Sequence, residues 1–149
     1  MLRLCHGIDW LGQDYVDVQR LRGGQVITVT LPIRLVSEAN RRDHWAAKAK
    51  RVASQRRLVK MALWAKTRMC RVYEKSLAGY AYEITLTRIG PRTLDSDNIQ
   101  GAFKGVRDQI AECIGVDDGS PRLTWVYGQE KSGPKTYAIR IQITAGGGI

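Results

Sequence analysis

At 149 residues and 16.7 kDa the chain is the size of one domain with a substantial core, and its hydrophobic and charged fractions, 44% and 26%, are ordinary for a globular protein. No apolar run approaches the roughly 18 residues that cross a bilayer, and the opening stretch, interrupted by Arg3, His6, Asp9, Gln13 and Asp14, lacks the apolar segment of a secretion signal. A cytoplasmic protein without a membrane partner is expected. The net charge of +10 and pI near 9.9 call for a polyanion, either nucleic acid or an anionic membrane surface.

In chain order, residues 1–24 hold apolar groups without a period and read as an extension ahead of a domain over 25–144; residues 145–149 read as a loose tail. Val26–Val36 is β-branched and alternating, a strand whose second half Pro32 confines to an edge or an end. Ser37-Glu-Ala-Asn40 offers cap chemistry for a helix over 40–68, in which Trp45, Ala49, Val52, Val59 and Leu63 share about 80° of arc as a core stripe. Tyr80–Arg88 alternates as a second strand ended by Gly90-Pro91, and Asn98–Cys113 reads as a second helix closed by Gly115. Leu123–Tyr127 and Tyr137–Ile143 are two more strands, with Lys131–Lys135 between them suited to a hairpin. The expected fold is therefore α+β, a single domain with two helices on a mixed sheet of about four strands, in the order β-α-β-α-β-β. The three cysteines, Cys5, Cys70 and Cys113, are odd in number and far apart, which argues against a disulfide framework. Cys5-His6 has no further ligands nearby and reads as idle.

The charge is localised. Between Arg41 and Arg71 stand eleven basic residues and one acid, Asp43. Arg41, Arg42, Lys48, Arg51, Arg56, Arg57 and Lys60 are the candidate DNA contacts, directed at phosphates rather than base edges. A membrane surface is the weaker alternative, because the apolar stripe of the same helix is alanine-rich and needed by the core.

Against this background Asp95-Ser-Asp97-Asn98 and Asp117-Asp118 stand out. Carboxylates at i and i+2 on an extended segment project to one side, and a hard divalent cation relieves their repulsion. Such a metal lowers the pKa of bound water and neutralises developing charge in phosphodiester hydrolysis. Structural readings compete: Asp97 as a helix cap, Asp117-Asp118-Gly119 as a turn, and Lys104 with Asp108 as a surface i, i+4 ion pair. Gly101 and Gly105, on the side of the helix that carries Asp97, predict close approach by a strand, a second subunit or DNA.

The segment from Asp95 to Asp118, with Asp-x-Asp-Asn, a helix bearing Lys104 and Asp108, and a following acidic pair, resembles the RusA-like Holliday junction resolvases of phages and prophages. Pro32 and Asn40 match the opening of that family, and the likeness in element order covers about residues 26–144. The resemblance implies a RusA-like fold and a homodimeric, Mg²⁺-dependent endonuclease, with Mn²⁺ as a substitute, acting on four-way DNA junctions in recombination. It makes Asp95, Asp97 and Asp118 the catalytic metal-binding acids, Asp117 a supporting acid and Lys104 the phosphate-contacting base. Lys104 departs from the family's pattern, for Gly101 occupies the lysine position and Lys104 lies three residues further along. If 98–113 were one straight helix, about 24 Å long, the two acidic pairs would meet poorly in one chain and better across a two-fold dimer. A DNA-binding accessory protein without catalysis is the alternative to a nuclease.

Overall fold

The computed structural model describes residues 20–21, 24–37, 41–67 and 81–145. Strands β1 (Arg20–Leu21) and β2 (Gly24–Leu31) are followed by helix α1 (Trp45–Thr67) and strand β3 (Tyr82–Gly90). Helices α2 (Ser96–Ala102) and α3 (Lys104–Ile114) then lead to β4 (Leu123–Lys131) and β5 (Ala138–Ala145). This is the expected α+β domain. The short β1, paired with the start of β2 through Arg20↔Gln25, was not foreseen. The remaining residues of the supposed extension and tail, the cap residues 38–40, Cys5, His6 and Cys70 lie outside the described residues.

The sheet order is β1-β2-β5-β3-β4. Among the described strands only β3 and β4 run parallel, with Ile84 opposite Trp125 and Leu86 opposite Tyr127. They are joined through α2 and α3, the crossover that a parallel pair requires. β5 pairs antiparallel with both β2 and β3. The expected hairpin between β4 and β5 is therefore absent. The connection after Lys131 crosses the end of β3, where Ser132 N–H donates to Gly90 O at 3.1 Å, and delivers β5 to the far side of β3. Turn residues at 131–135 mark a reversal but do not choose the partner. That choice lies with β5, whose alternating isoleucines find buried neighbours on both flanks.

One face of the sheet forms the core in rows. Ile27, Ile143 and Ile84 lie side by side, as do Val29, Ile141 and Leu86, and then Leu31, Ile139 and Arg88. The β5 isoleucines Ile139, Ile141 and Ile143, with Ile84 and Leu86, are essentially inaccessible. Phe103, Val106 and Ile110 from the helices cover them. α3 ends at Gly115, whose φ of 83° places it in the left-handed region that glycine adopts without strain. β2 stops before Pro32, as its missing N–H requires.

Two helix expectations are corrected. α1 begins at Trp45 rather than residue 40, and its core stripe is covered only from the half-buried Val52 onward. Val59 and Leu63 are fully buried and Gln55 nearly so, whereas Trp45 is 76% exposed and Ala49 is exposed too. Periodicity reports which residues share a face, not how much of the face is covered, and residues 41–50 are all exposed. The second expected helix is two helices. It starts at Ser96 and is interrupted at Phe103, with φ −83° and ψ −3°. Glycines two residues to either side weaken helical preference there, and the wholly buried Phe103 ring packs 6.1 Å from that of Tyr127. The premise of one straight 24 Å rod, and with it the geometric ground for a site shared across a dimer, falls away.

Candidate nucleic-acid interface and acidic turn

The turn that carries Asp95 is held from beneath by the last row of the sheet. Arg88 and Gln129 are opposite one another on β3 and β4. The Arg88 guanidinium donates to Arg92 O. The Gln129 side-chain amide grips Leu94 with both of its groups: Leu94 N–H donates to Oε1 at 2.8 Å and Nε2 donates to Leu94 O at 2.6 Å. Gly90 leaves the room Arg88 uses, since a Cβ there would meet its Nη2 at 3.1 Å. Asp95, extended at φ −67° and ψ 155°, precedes α2 without a side-chain capping bond.

Because α2 begins at Ser96, Asp97 sits in its first helical turn and is not the second member of an extended pair. The alternation argument for a shared side does not apply to it. Both carboxylates are exposed, and neither meets a basic side chain among the described residues. They differ in this from Asp43, Asp108, Glu112, Asp118 and Glu130, each of which contacts an arginine or lysine. Next along α2, Asn98 Oδ1 accepts from Ser37 Oγ at 3.1 Å. That bond ties the acidic turn to the segment entering the basic helix.

The second acidic pair is structured differently. Asp117 Oδ1 accepts from Gly119 N–H at 2.9 Å, a local turn of the kind Asp-Asp-Gly predicts. Asp118 is anchored by Arg107 of α3. Arg107 Nη2 donates to Asp118 O at 3.2 Å and Nη1 to the Tyr127 hydroxyl at 3.2 Å. Its Nε stands 3.3 Å from Asp118 Oδ2, an ion-pair distance without hydrogen-bond alignment. The guanidinium lies 5.0 Å over the Trp125 ring, and Trp125 Nε1 donates to the same Asp118 carbonyl at 2.9 Å. Among the described residues no group of three or more His, Cys, Asp or Glu gathers as a ready-made metal site.

Lys104 pairs with Asp108 at 3.6 Å, the surface reading of that spacing. The two glycines part company. Gly105 is buried against Val52 of α1, so the close neighbour is the chain's own helix, while among the described residues nothing stands within 4 Å of a Cβ placed at Gly101.

The candidate DNA contacts also divide. Arg56 donates to Glu112 of α3 at 2.6 Å and serves the α1–α3 seam. Arg41 and Arg51 share Asp43 Oδ2, at 2.9 and 3.1 Å. Arg42, Lys48, Arg57 and Lys60 are exposed and meet no acid among the described residues. Three residues that shape the site, Arg88, Gln129 and Arg107, were not singled out from the sequence. For Arg88 a signal was present: in the alternation of β3 it occupies an inward position, where a charge demands a partner.

No family model matches the chain, and no curated protein does. Among solved structures it is similar to a protein described as a translation initiation inhibitor from Salmonella typhimurium, at 13% identity and a TM-score of 0.39 over 88% of each chain. It is also similar to 2C-methyl-D-erythritol 2,4-cyclodiphosphate synthase from Plasmodium vivax, at 13% identity and a TM-score of 0.27, covering 64% of this chain and 53% of that one. Likeness this slight bears on neither fold nor function. Among the described residues no helix is long and apolar enough to cross a membrane.

Proposed function

We propose that this protein is a metal-dependent endonuclease that binds branched DNA through α1 and its leading segment and hydrolyses the backbone beside Asp95 and Asp97. The supporting observation is the 3.1 Å hydrogen bond from Ser37 to Asn98. It sets the carboxylates of Asp95 and Asp97, which meet no basic side chain among the described residues, against the segment that, four residues later, opens the basic run at Arg41. At full extension those four residues span only about 14 Å, close to the spacing of successive phosphates over two or three nucleotides.

The donor set fits Mg²⁺, or Mn²⁺ in its place, since Mg²⁺ is held by one or two carboxylates with waters and substrate phosphate completing the shell. Asp95 and Asp97 would hold the ion, which supplies an activated water and neutralises charge on the scissile phosphate. Asp118 is left a subsidiary part, because Arg107 already holds it. Arg42, Lys48, Arg57 and Lys60 bind the backbone without reading sequence, and Lys104, exposed beside Asp108, adds a further ammonium to a passing phosphate. In this reading two chains act together, since resolving a four-way junction takes two symmetric nicks.

The test is cleavage of a synthetic four-way junction by wild type, Asp95→Asn and Asp97→Asn, with binding measured separately in Ca²⁺. Wild type cuts only with Mg²⁺ or Mn²⁺. Each variant loses cutting yet binds as well or better, because repulsion of phosphate falls. Metal-dependent cutting that survives both substitutions refutes the assignment. Tight binding by a wild type that never cuts favours the DNA-binding accessory protein.

A further inference from the structure

The stripe of α1 that packs against α3 continues past the point where α3 begins. Gly105 admits Val52, and one turn on Arg56 donates to Gln109 at 3.3 Å and to Glu112 at 2.6 Å. The contacts advance together along both helices, so α1 and α3 run in the same direction. Carried back from Val52, the stripe passes the start of α3 and reaches Ala49 and Trp45, about 4.5 and 10.5 Å further along the axis. This overhanging end of α1 is the one the chain enters from Ser37, whose hydroxyl is bonded to Asn98 of α2.

There the stripe has no cover. Trp45 is 76% exposed and Ala49 is exposed too, and on α2 the space over Gly101 is open among the described residues. An indole in water forgoes the burial that a ring of its size gains elsewhere. This one is nevertheless braced. The His44 ring lies 5.5 Å from it, tilted by 36°, and Ala46 N–H donates to His44 Nδ1 at 3.3 Å. Part of the ordering that binding demands is therefore done before a ligand arrives.

The flanking residues state the charge of what covers the ring. Arg42, three residues before it, and Lys48, three residues after it, are exposed and meet no acid among the described residues. A ring between two cations suits a ligand with a flat apolar face and an anionic backbone, and a nucleotide has both. Bases stack on such rings with little regard to sequence. A lipid surface is served poorly, because the residues one turn along from the ring are Lys48 and Ala49, not the large apolar groups that an interfacial helix buries.

We propose that Trp45 is a stacking platform for a base at the branch point of branched DNA, with Arg42 and Lys48 on the phosphates to either side of it. His44 is the positioning residue of the platform. Within a duplex every base is already stacked on two neighbours. At a branch that stacking is interrupted, so a base there takes the indole with the smallest loss. The platform rests on the nucleic-acid reading above but not on catalysis. It gives the preference for a branch over plain duplex to the end of α1 that is tied to α2, the helix that follows Asp95.

The experiment measures binding of a labelled four-way junction and a labelled duplex in Ca²⁺ as a function of salt. Wild type is compared with Trp45→Ala and Trp45→Phe, and with Trp64→Ala, which removes the other exposed indole of α1. Trp45→Ala weakens junction binding by about 5- to 100-fold and leaves duplex binding as it is. The slope of log affinity against log salt is unchanged, because no charge is lost. Trp45→Phe recovers most of the loss, and Trp64→Ala binds as wild type does. Junction affinity that survives Trp45→Ala, an equal loss on duplex, or an equal loss in Trp64→Ala overturns the platform, even if wild type cuts DNA. Thermal unfolding and sedimentation velocity of the free protein are measured beside binding, and Trp45→Ala matches wild type in both. A lowered melting temperature would mean that the ring packs on its own chain, and a smaller particle that it joins two copies; either overturns the platform. Vesicles of phosphatidylserine and phosphatidylcholine are run in parallel, and vesicle binding lost in Trp45→Ala with junction binding intact assigns the ring to a membrane instead. A wild type that binds neither DNA overturns the nucleic-acid reading and the platform together. A junction-selective loss in a protein that never cuts supports the platform and refutes only the nuclease reading.

Discussion

Replacing Gly101 and Gly105 by alanine in separate variants asks the same question of two helices and should receive opposite answers. Alanine is intrinsically better than glycine in a helix by about 1 kcal/mol, less near helix ends, so each change carries a gain of about 0.5–1 kcal/mol. At Gly101 the new Cβ has nothing within 4 Å among the described residues and the gain is kept. At Gly105 the Cβ arrives 3.0 Å from Val52 Cγ1, whereas carbon atoms prefer roughly 3.5–4.0 Å. The α1–α3 seam must open by about half an ångström, and overpacking of that kind costs about 1–3 kcal/mol. Gly105→Ala should therefore lose a net ~1 kcal/mol, lowering the melting temperature by about 2–4 °C in a chain of this size. Urea unfolding followed by helical circular dichroism, with an unchanged m-value, gives the order: Gly101→Ala most stable, wild type next, Gly105→Ala least. If Gly105→Ala is as stable as Gly101→Ala, the seam is looser than described and Gly105 is not there to admit α1. If Gly101→Ala is stable but binds junction DNA poorly, the open space over Gly101 is where the DNA backbone passes.

Two further outcomes follow from side chains that hold the turns. Gln129→Ala removes both hydrogen bonds to Leu94 from an exposed site, so stability should change by no more than about 1 kcal/mol while Mg²⁺-dependent cleavage falls by about 10- to 100-fold as Asp95 loses its support; parallel urea melts and cleavage assays separate the two, and unimpaired cleavage refutes the role. Arg107→Ala releases Asp118, Tyr127 and Trp125 together and should cost about 1–2 kcal/mol, with faster amide exchange at Ser120, whose N–H donates to Asp117 O. Arg107→Lys should not restore it, because an ammonium cannot span those partners.

What was legible from residues alone was whatever depends on neighbours along the chain. Alternation placed β2, β3 and β5, since a strand buries every second side chain whatever it pairs with. Pro32 ended a strand and Gly115 a helix through their own backbone restrictions. The basic run and the two acidic pairs were plain from composition, as was the prospect that Asp117 serves a turn and Lys104 an ion pair. What depends on contacts distant in the chain was not legible. Turn chemistry at 131–135 could not say that β5 inserts between β2 and β3, and helical periodicity could not say that Trp45 stands in solvent while Val59, on the same stripe, is wholly buried.

The acidic segment shows the division most clearly. Sequence by itself determined that Asp95 and Asp97 stand two apart beside a helix, in a chain whose excess charge is positive. Only the tertiary structure decided that Asp97 belongs to the helix, that Phe103 divides that helix, and that Arg107 occupies Asp118. It also decided that Gln129 and Arg88 hold the turn from a strand row whose members are far apart in the chain. The physical reason is one of range. Backbone preference and side-chain spacing act over a few residues, whereas the company a charge keeps is set by which distant elements the core brings together.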